Sequence, residues 1–211
     1  TTEELIQVTE AFIKKSNKIH ISITKNDSVK VSIPYTKREL FNGTVNGYTV
    51  LGKKHSIFDY KAKSIKQSFY SLPLTYMGFS GYLNPFTNEA QIDGMIPLYQ
   101  YPSTACHEQA HQLGYAAENE ANFIGFLAST NHEDPYFQYA AYLLVLRYAL
   151  FDIRRYDDEL FTAYLEKIPK GILKNIRESD EFWRRYENPV EPLFKTFYDN
   201  YSKYNQQKDG L

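Results

Sequence analysis

The chain has 211 residues, with 24 Lys and Arg against 25 Asp and Glu and a formal net charge of −1. That balance, with no basic run, excludes an electrostatic nucleic-acid binder. An apolar share of 43% and a charged share of 23% are ordinary for a globular chain long enough to bury a substantial core. One cysteine, Cys106, rules out an internal disulfide and reads as a small buried helix residue. The longest apolar run, residues 139–151, is too short to span a bilayer and contains Arg147. The 19 tyrosines point to amphipathic packing residues and a groove able to hold polypeptide or glycan.

In chain order, Thr2 caps a first amphipathic helix running to about Ser16, with Leu5, Val8, Phe12 and Ile13 inward. Residues 19–23 and 29–33 alternate apolar and polar around a polar turn, which predicts a hairpin with His20 on its surface. Thr36-Lys37-Arg38-Glu39 is a capping box that starts a second helix, to about Val50. Gly43 and Gly47 either weaken that helix or allow close packing. His55 follows two lysines and reads as solvated. Residues 79–83 and 89–92 flank turn chemistry at Asn84-Pro85-Phe86-Thr87-Asn88, which predicts a second hairpin. Pro97 and Pro102 then mark a loop, and Ser103 or Thr104 caps the next helix.

That helix carries His107-Glu108-Gln109-Ala110-His111. Positions four apart stack on one helix face, so both imidazoles can reach one metal ion. Glu108 lies close enough to touch a metal-bound water without being a ligand. This is the H-E-x-x-H pattern of zinc hydrolases, in which the ion acidifies a water and the glutamate takes its proton. A solvated amphipathic helix is the bland alternative for so short a string. Gly114 can end the helix in a left-handed cap that reverses the chain. A second helix, Glu118 to about Thr130, then returns with the carboxylate that a third ligand requires.

Glu118 and Glu120 are roughly 200° apart around a helix, so only one can face the ion. The Glu118 face carries Ala121 and Gly125, small enough for close helix approach, and Asn122, whose amide could hold a ligand histidine. The Glu120 face carries Phe123, Ile124 and Leu127, a core stripe. Glu118 is therefore the expected ligand, and Glu120 remains the alternative if the helix start is kinked. Asp134-Pro135 opens a further helix through about Phe151. His132, just before it, reads as a surface residue, with a transition-state donor as the alternative. Tyr115, Tyr139 and Tyr142 are candidates to stabilise an oxyanion. From Asp157 to Lys203 the pattern predicts three or four helices, with breaks at Pro169-Lys170-Gly171 and Asn188-Pro189 and a frayed end.

His107-Glu108-x-x-His111 with Glu118-x-x-x-Asn122 resembles the gluzincin side of the zincin-like metallopeptidases. There a glutamate from a following helix completes the site and an Asp or Asn one turn later orients a histidine. The longer string HEQAHQLGYAAENEANFIGFLA is similar to an uncharacterised family of bacterial, membrane-anchored H-E-x-x-H proteins. In that family it follows a segment like GFSGYLNPFTNEAQI, here residues 78–92, and the likeness covers roughly residues 76–150. The resemblance implies Zn2+ at His107, His111 and Glu118, with Glu108 as base, and makes the second hairpin the edge along which substrate lies. It also implies membrane helices before residue 1, with this domain soluble; the start at Thr1-Thr2 without methionine fits a processed piece. Two departures stand out. Only six residues separate His111 from Glu118, and Ala117 sits where metzincins place a third histidine.

The expected protein is a single α+β, predominantly α-helical, zincin-like domain over residues 1–211. It divides into N-terminal helices and hairpin (about 1–75), a catalytic core (76–150) and C-terminal helices (151–211). Its expected activity is zinc-dependent hydrolysis of peptide bonds in a peptide or protein substrate. The rival readings are a non-catalytic zincin-like binding or receptor module, and a regulatory protease with one dedicated protein substrate.

Overall fold

The computed structural model describes residues 1–61, 64–192, 196 and 200, and among them lie helices α1 to α8 and a small mixed sheet. Helix α1 (Thr2–Thr24) starts in a capping box, but from Thr1 and Glu4 rather than from Thr2. It does not stop at Ser16. Its buried residues Thr9, Ile13, Ser16, Ile19 and His20 keep helical spacing through the stretch read as a strand, and Lys25 ends it in the left-handed region at φ 56°. Val8, expected inward, is 45% exposed. His20 is fully buried, with Nε2 2.8 Å from the Val29 carbonyl, so it is a core residue and not a surface one.

No strand forms at residues 29–33 either. The Asn175 side chain takes the place of a neighbouring strand there, accepting from the Val31 N–H at 3.0 Å and donating to its carbonyl at 3.2 Å. The first expected hairpin is thus a helix end and an extended segment sealed by a buried amide.

Helix α2 (Lys37–Lys54) begins at the Thr36–Glu39 capping box as expected. Its glycines serve close packing. A Cβ at Gly43 would meet Phe137 at 2.7 Å, and one at Gly47 would lie 2.2 Å from the Ala128 carbonyl oxygen. Strand β1 (Ile65–Gln67) and helix α3 (Ser71–Met77) precede the second expected hairpin, which is present as β2 (Gly81–Leu83) and β3 (Ala90–Ile92). The sheet order is β1-β3-β2, with β1 parallel and β2 antiparallel to the fully buried β3. Asn84 Oδ1 accepts from the Phe86 and Thr87 N–H groups and closes the turn.

Helices α4 (Tyr101–Gln112), α5 (Glu118–Asn131), α6 (Pro135–Tyr156), α7 (Asp158–Glu166) and α8 (Lys170–Tyr186) follow. Asp134 caps α6 by accepting from the Tyr136 N–H. The break expected at residues 169–171 falls at 167–169, with Lys170 and Gly171 already in α8; the helices expected on to Lys203 and the frayed end fall largely outside the described residues.

Three apolar clusters hold the elements together. The first joins α1, α6 and α8 around Ile13, Leu143, Leu146 and Ile172. The second joins α2, α4 and α5 around Tyr48, Cys106, Ala121 and Ile124. The third joins α2, α4 and the sheet around Leu40, Ile92 and Tyr101. The first cluster draws on all three expected stretches of chain, so these interlock rather than form separate lobes. No helix among the described residues is long and apolar enough to cross a membrane.

Candidate metal centre

Helix α4 runs through the middle of the fold, continuing a 3-10 turn at Leu98–Gln100 with Pro102 in its first turn, where a missing N–H costs nothing. Neither Ser103 nor Thr104 caps it. The Ser103 hydroxyl donates instead to the Gln100 carbonyl at 2.9 Å. The back of α4 is anchored by polar side chains. Tyr48 donates its hydroxyl to the Cys106 carbonyl at 2.5 Å, and Gln109 Nε2 donates to Thr44 Oγ1 at 2.8 Å. Gln112 Nε2 donates to the Ser64 and Asn88 carbonyls at 3.0 and 2.7 Å. These bonds fix the rotation of the helix and leave His107, Glu108 and His111 facing a cleft. Cys106 is fully buried as expected, and burial pushes its thiol up to about 12, so it is inert at neutral pH.

The chain reverses at Gly114, whose φ of 105° is open to glycine and strained for other residues. Helix α5 then lies against α4 at very short range. A Cβ at Gly125 would sit 2.8 Å from the His107 backbone nitrogen. The small residue does what the sequence required of it: the close approach carries Glu118 over the two histidines. Glu120 turns outward and is exposed. Phe123, expected in a core stripe, is 61% exposed, while Ile124 of the same stripe is buried.

His107 Nε2 and His111 Nε2 are 3.1 Å apart, with their rings perpendicular. Glu118 places Oε2 3.1 Å from His107 Nε2 and Oε1 3.6 Å from His111 Nε2. Bonds of about 2.0–2.1 Å in a tetrahedron put ligand atoms about 3.3 Å apart. The three donors therefore stand like three corners of a zinc tetrahedron, and these residues could hold a metal ion. His111 Nδ1 lies 2.7 Å from the Tyr115 carbonyl. A proton on Nδ1 satisfies that acceptor and leaves the Nε2 lone pair aimed at the other two donors. The bond expected from Asn122 to a ligand histidine is not made, and His107 Nδ1 is buried without a partner.

The ionisable side chains of the cluster act on one another. Burial alone would raise Glu118, but hydrogen bonds and charge from His107 and His111 outweigh it and hold the carboxyl at about 2. Burial would lower His111, yet its bond to Glu118 and the charges of Glu108 and Glu118 raise it above the usual value. Glu108 is only 4% exposed. Burial raises its pKa; the two histidines oppose that rise and Glu118 adds to it. Its Oε2 has no hydrogen-bond partner, and its Oε1 would lie 2.6 Å from a Cβ on Gly81 of β2. A buried, unpaired carboxylate next to three metal-type donors, at the wall of a cleft, is arranged to take a proton.

The cleft measures about 490 Å3 and runs from the end of α3 along β2 to the three donors. Strand β2 is the sheet's edge, so one side of its backbone is unpaired within the sheet. Other candidates do not converge here. His132 is buried, stacked on Phe137, with Nε2 2.9 Å from the Gly43 carbonyl and Nδ1 accepting from the Asp134 N–H. Both of its ring nitrogens are used structurally, which corrects the surface reading and leaves no donor free. Tyr139 is fully buried with its hydroxyl on Asn175, and Tyr142 packs edge-on to Phe126. Tyr115 packs its ring against Phe58 and serves the site through its carbonyl. His55 is exposed as expected.

Sequence reasoning missed Gly81 and Tyr148. Tyr148 on α6 lines a neighbouring cavity that shares Gly78 and Ser80 with the metal cleft. Burial raises its phenol; Arg147 opposes this and the charge of Glu118 adds to the rise. Among 19 tyrosines no local pattern marks it.

A family profile described as a protein of unknown function (DUF3810) matches residues 1–211. No curated protein and no solved structure matches the chain.

Proposed function

The chain belongs to the DUF3810 family, and we propose that this member is a zinc-dependent peptidase. The observation that carries the reading is the triangle of His107, His111 and Glu118 donor atoms with the unpaired Glu108 carboxylate beside it. Zinc held by those three residues would polarise a substrate carbonyl and acidify water. Glu108 takes the proton of the attacking water and returns it to the leaving amine. Its burial supports that role, because a raised proton affinity suits a base working near neutral pH. The free edge of β2 offers backbone groups that align an extended polypeptide past the site. Tyr148, which lines the adjoining cavity, is the candidate to donate a hydrogen bond to the oxygen on which negative charge develops. The resemblance in the motif region also supports a membrane tether carried by segments outside these residues.

The deciding experiment is elemental analysis of the purified protein. About one zinc per chain is expected. It should be lost in Glu118→Ala and retained in Glu120→Ala and Glu108→Gln, while Glu108→Gln loses cleavage of a peptide library. No zinc even after reconstitution would end the reading. Bound zinc with no peptide cleaved would favour a binding module, and cleavage of one cellular protein alone would favour a dedicated regulatory protease.

A further inference from the structure

Beside the metal cleft lies a second and larger cavity, about 620 Å3, floored by α6 and walled by α7 and α8. Gly78 and Ser80, the residues leading into β2, line both spaces, so the two adjoin. Its apolar side is made by Leu144, Phe151, Phe161, Leu165, Leu173 and Ile176, and Gln100, Ser103 and Thr104 supply a polar side. Charge is confined and already paired. Arg147 bonds to Ser179 and Asp180 of α8, and Arg154 lies over the Phe161 ring. Phe151 is 61% exposed, a large apolar side chain left in water beside an apolar trough. The volume falls in the range that holds a drug-sized ligand and exceeds what one side chain fills.

We propose that this groove binds a run of consecutive large apolar residues on one side of the scissile bond, so that the substrates are polypeptides with a hydrophobic stretch next to the cut. The assignment rests on the peptidase reading. A polypeptide is the occupant because Ser80, at the groove's rim, leads directly into the edge strand β2. Backbone paired along β2 passes the three donors, and at Ser80 it reaches the groove mouth. Apolar side chains entering there displace water from Leu144, Phe151 and Ile176, which favours binding in proportion to the apolar surface buried. A polar run gains nothing and strips water from its own groups.

The test uses zinc-loaded Glu108→Gln protein, which binds without turning over, and two fluorescein-labelled peptides that differ only in three consecutive residues, Leu-Leu-Leu or Ser-Ser-Ser. Anisotropy should show the leucine peptide binding at least tenfold tighter. Phe151→Glu, at an exposed position, should remove that advantage and leave the serine peptide unchanged. Phe161→Ser is a second variant in case the first fails to fold. Equal binding of the two peptides, or selectivity that survives both substitutions, overturns the proposal. Cleavage of the same peptides by the wild-type protein is measured in parallel. Selective binding without any cleavage would overturn the peptidase reading and leave the groove assigned to apolar polypeptide.

Discussion

Replacing Gly81 by alanine tests the role of Glu108 without touching a metal donor. A methyl group there would lie 2.6 Å from Glu108 Oε1 and 3.0 Å from its Cδ and Cγ. Relaxed contacts between such atoms need about 3.5 Å, so the carboxylate must retreat by roughly an ångström. Helix α4 cannot give way, because Tyr48, Thr44 and the carbonyls of Ser64 and Asn88 hold its far side. The backbone of β2 accepts alanine, since Gly81 is an extended strand residue. A misplacement of about 1 Å costs on the order of 10²-fold in rate, or about 2.7 kcal/mol of barrier. Overpacking should also lower stability by about 1–3 kcal/mol. The assay is kcat on a cleaved library peptide, with zinc content and a thermal melt on the same preparation. The expected result is a kcat loss of about 10²-fold with zinc unchanged. Wild-type kcat in a folded, zinc-bearing variant would refute Glu108 as the base.

Tyr148→Phe should lower kcat by about 10²-fold with KM little changed, as for loss of one oxyanion donor; an equal loss in KM and none in kcat would assign Tyr148 to binding alone. Gly125→Ala forces a Cβ to 2.8 Å from the His107 nitrogen, so α4 and α5 must part. A stability loss of about 1–3 kcal/mol is expected by chemical denaturation, together with weaker zinc retention, and a neutral effect on both would contradict the close helix contact. The metal-free protein should also show a bounded pH window. Glu118, held at about 2 against an ordinary 4.5, contributes stability above pH 4.5 that is lost as pH falls toward 2. His111, raised above 6.5, contributes below that pH and loses its contribution as pH rises through its folded value. The chelator-treated protein should therefore gain most from this pair between about pH 4.5 and 6.5. Glu118→Gln should flatten that part of the melting-temperature profile, and an unchanged profile would refute the coupling.

The centre was legible because its geometry is local. His107 and His111 share a face through helical periodicity alone, and Gly114 allows the turn that brings Glu118 back after six residues. Small residues on one side of α5 told which carboxylate faces inward. The capping boxes at Thr1 and Thr36 and the β2–β3 turn were equally local. What failed was decided by contacts distant in sequence. Ile19, Ile21 and Ile23 alternate like a strand, yet Ile19 and His20 also continue the helical row of α1 and are buried there, while Ile21 is left 41% exposed. Val31 meets no strand because Asn175, 144 residues away, satisfies its backbone. His132 is buried because Gly43 leaves room for α6, and for the Phe137 ring under the imidazole. Composition and spacing therefore determined the helical class, the pairing of α4 with α5 and which side chains of that pair meet, since hydrogen-bond periodicity and one glycine turn govern those relations. The wall against Glu108, the hydroxyl of Tyr148 and the apolar groove arise only where β2, α6, α7 and α8 pack around α4, and no short stretch of chain encodes which surfaces meet.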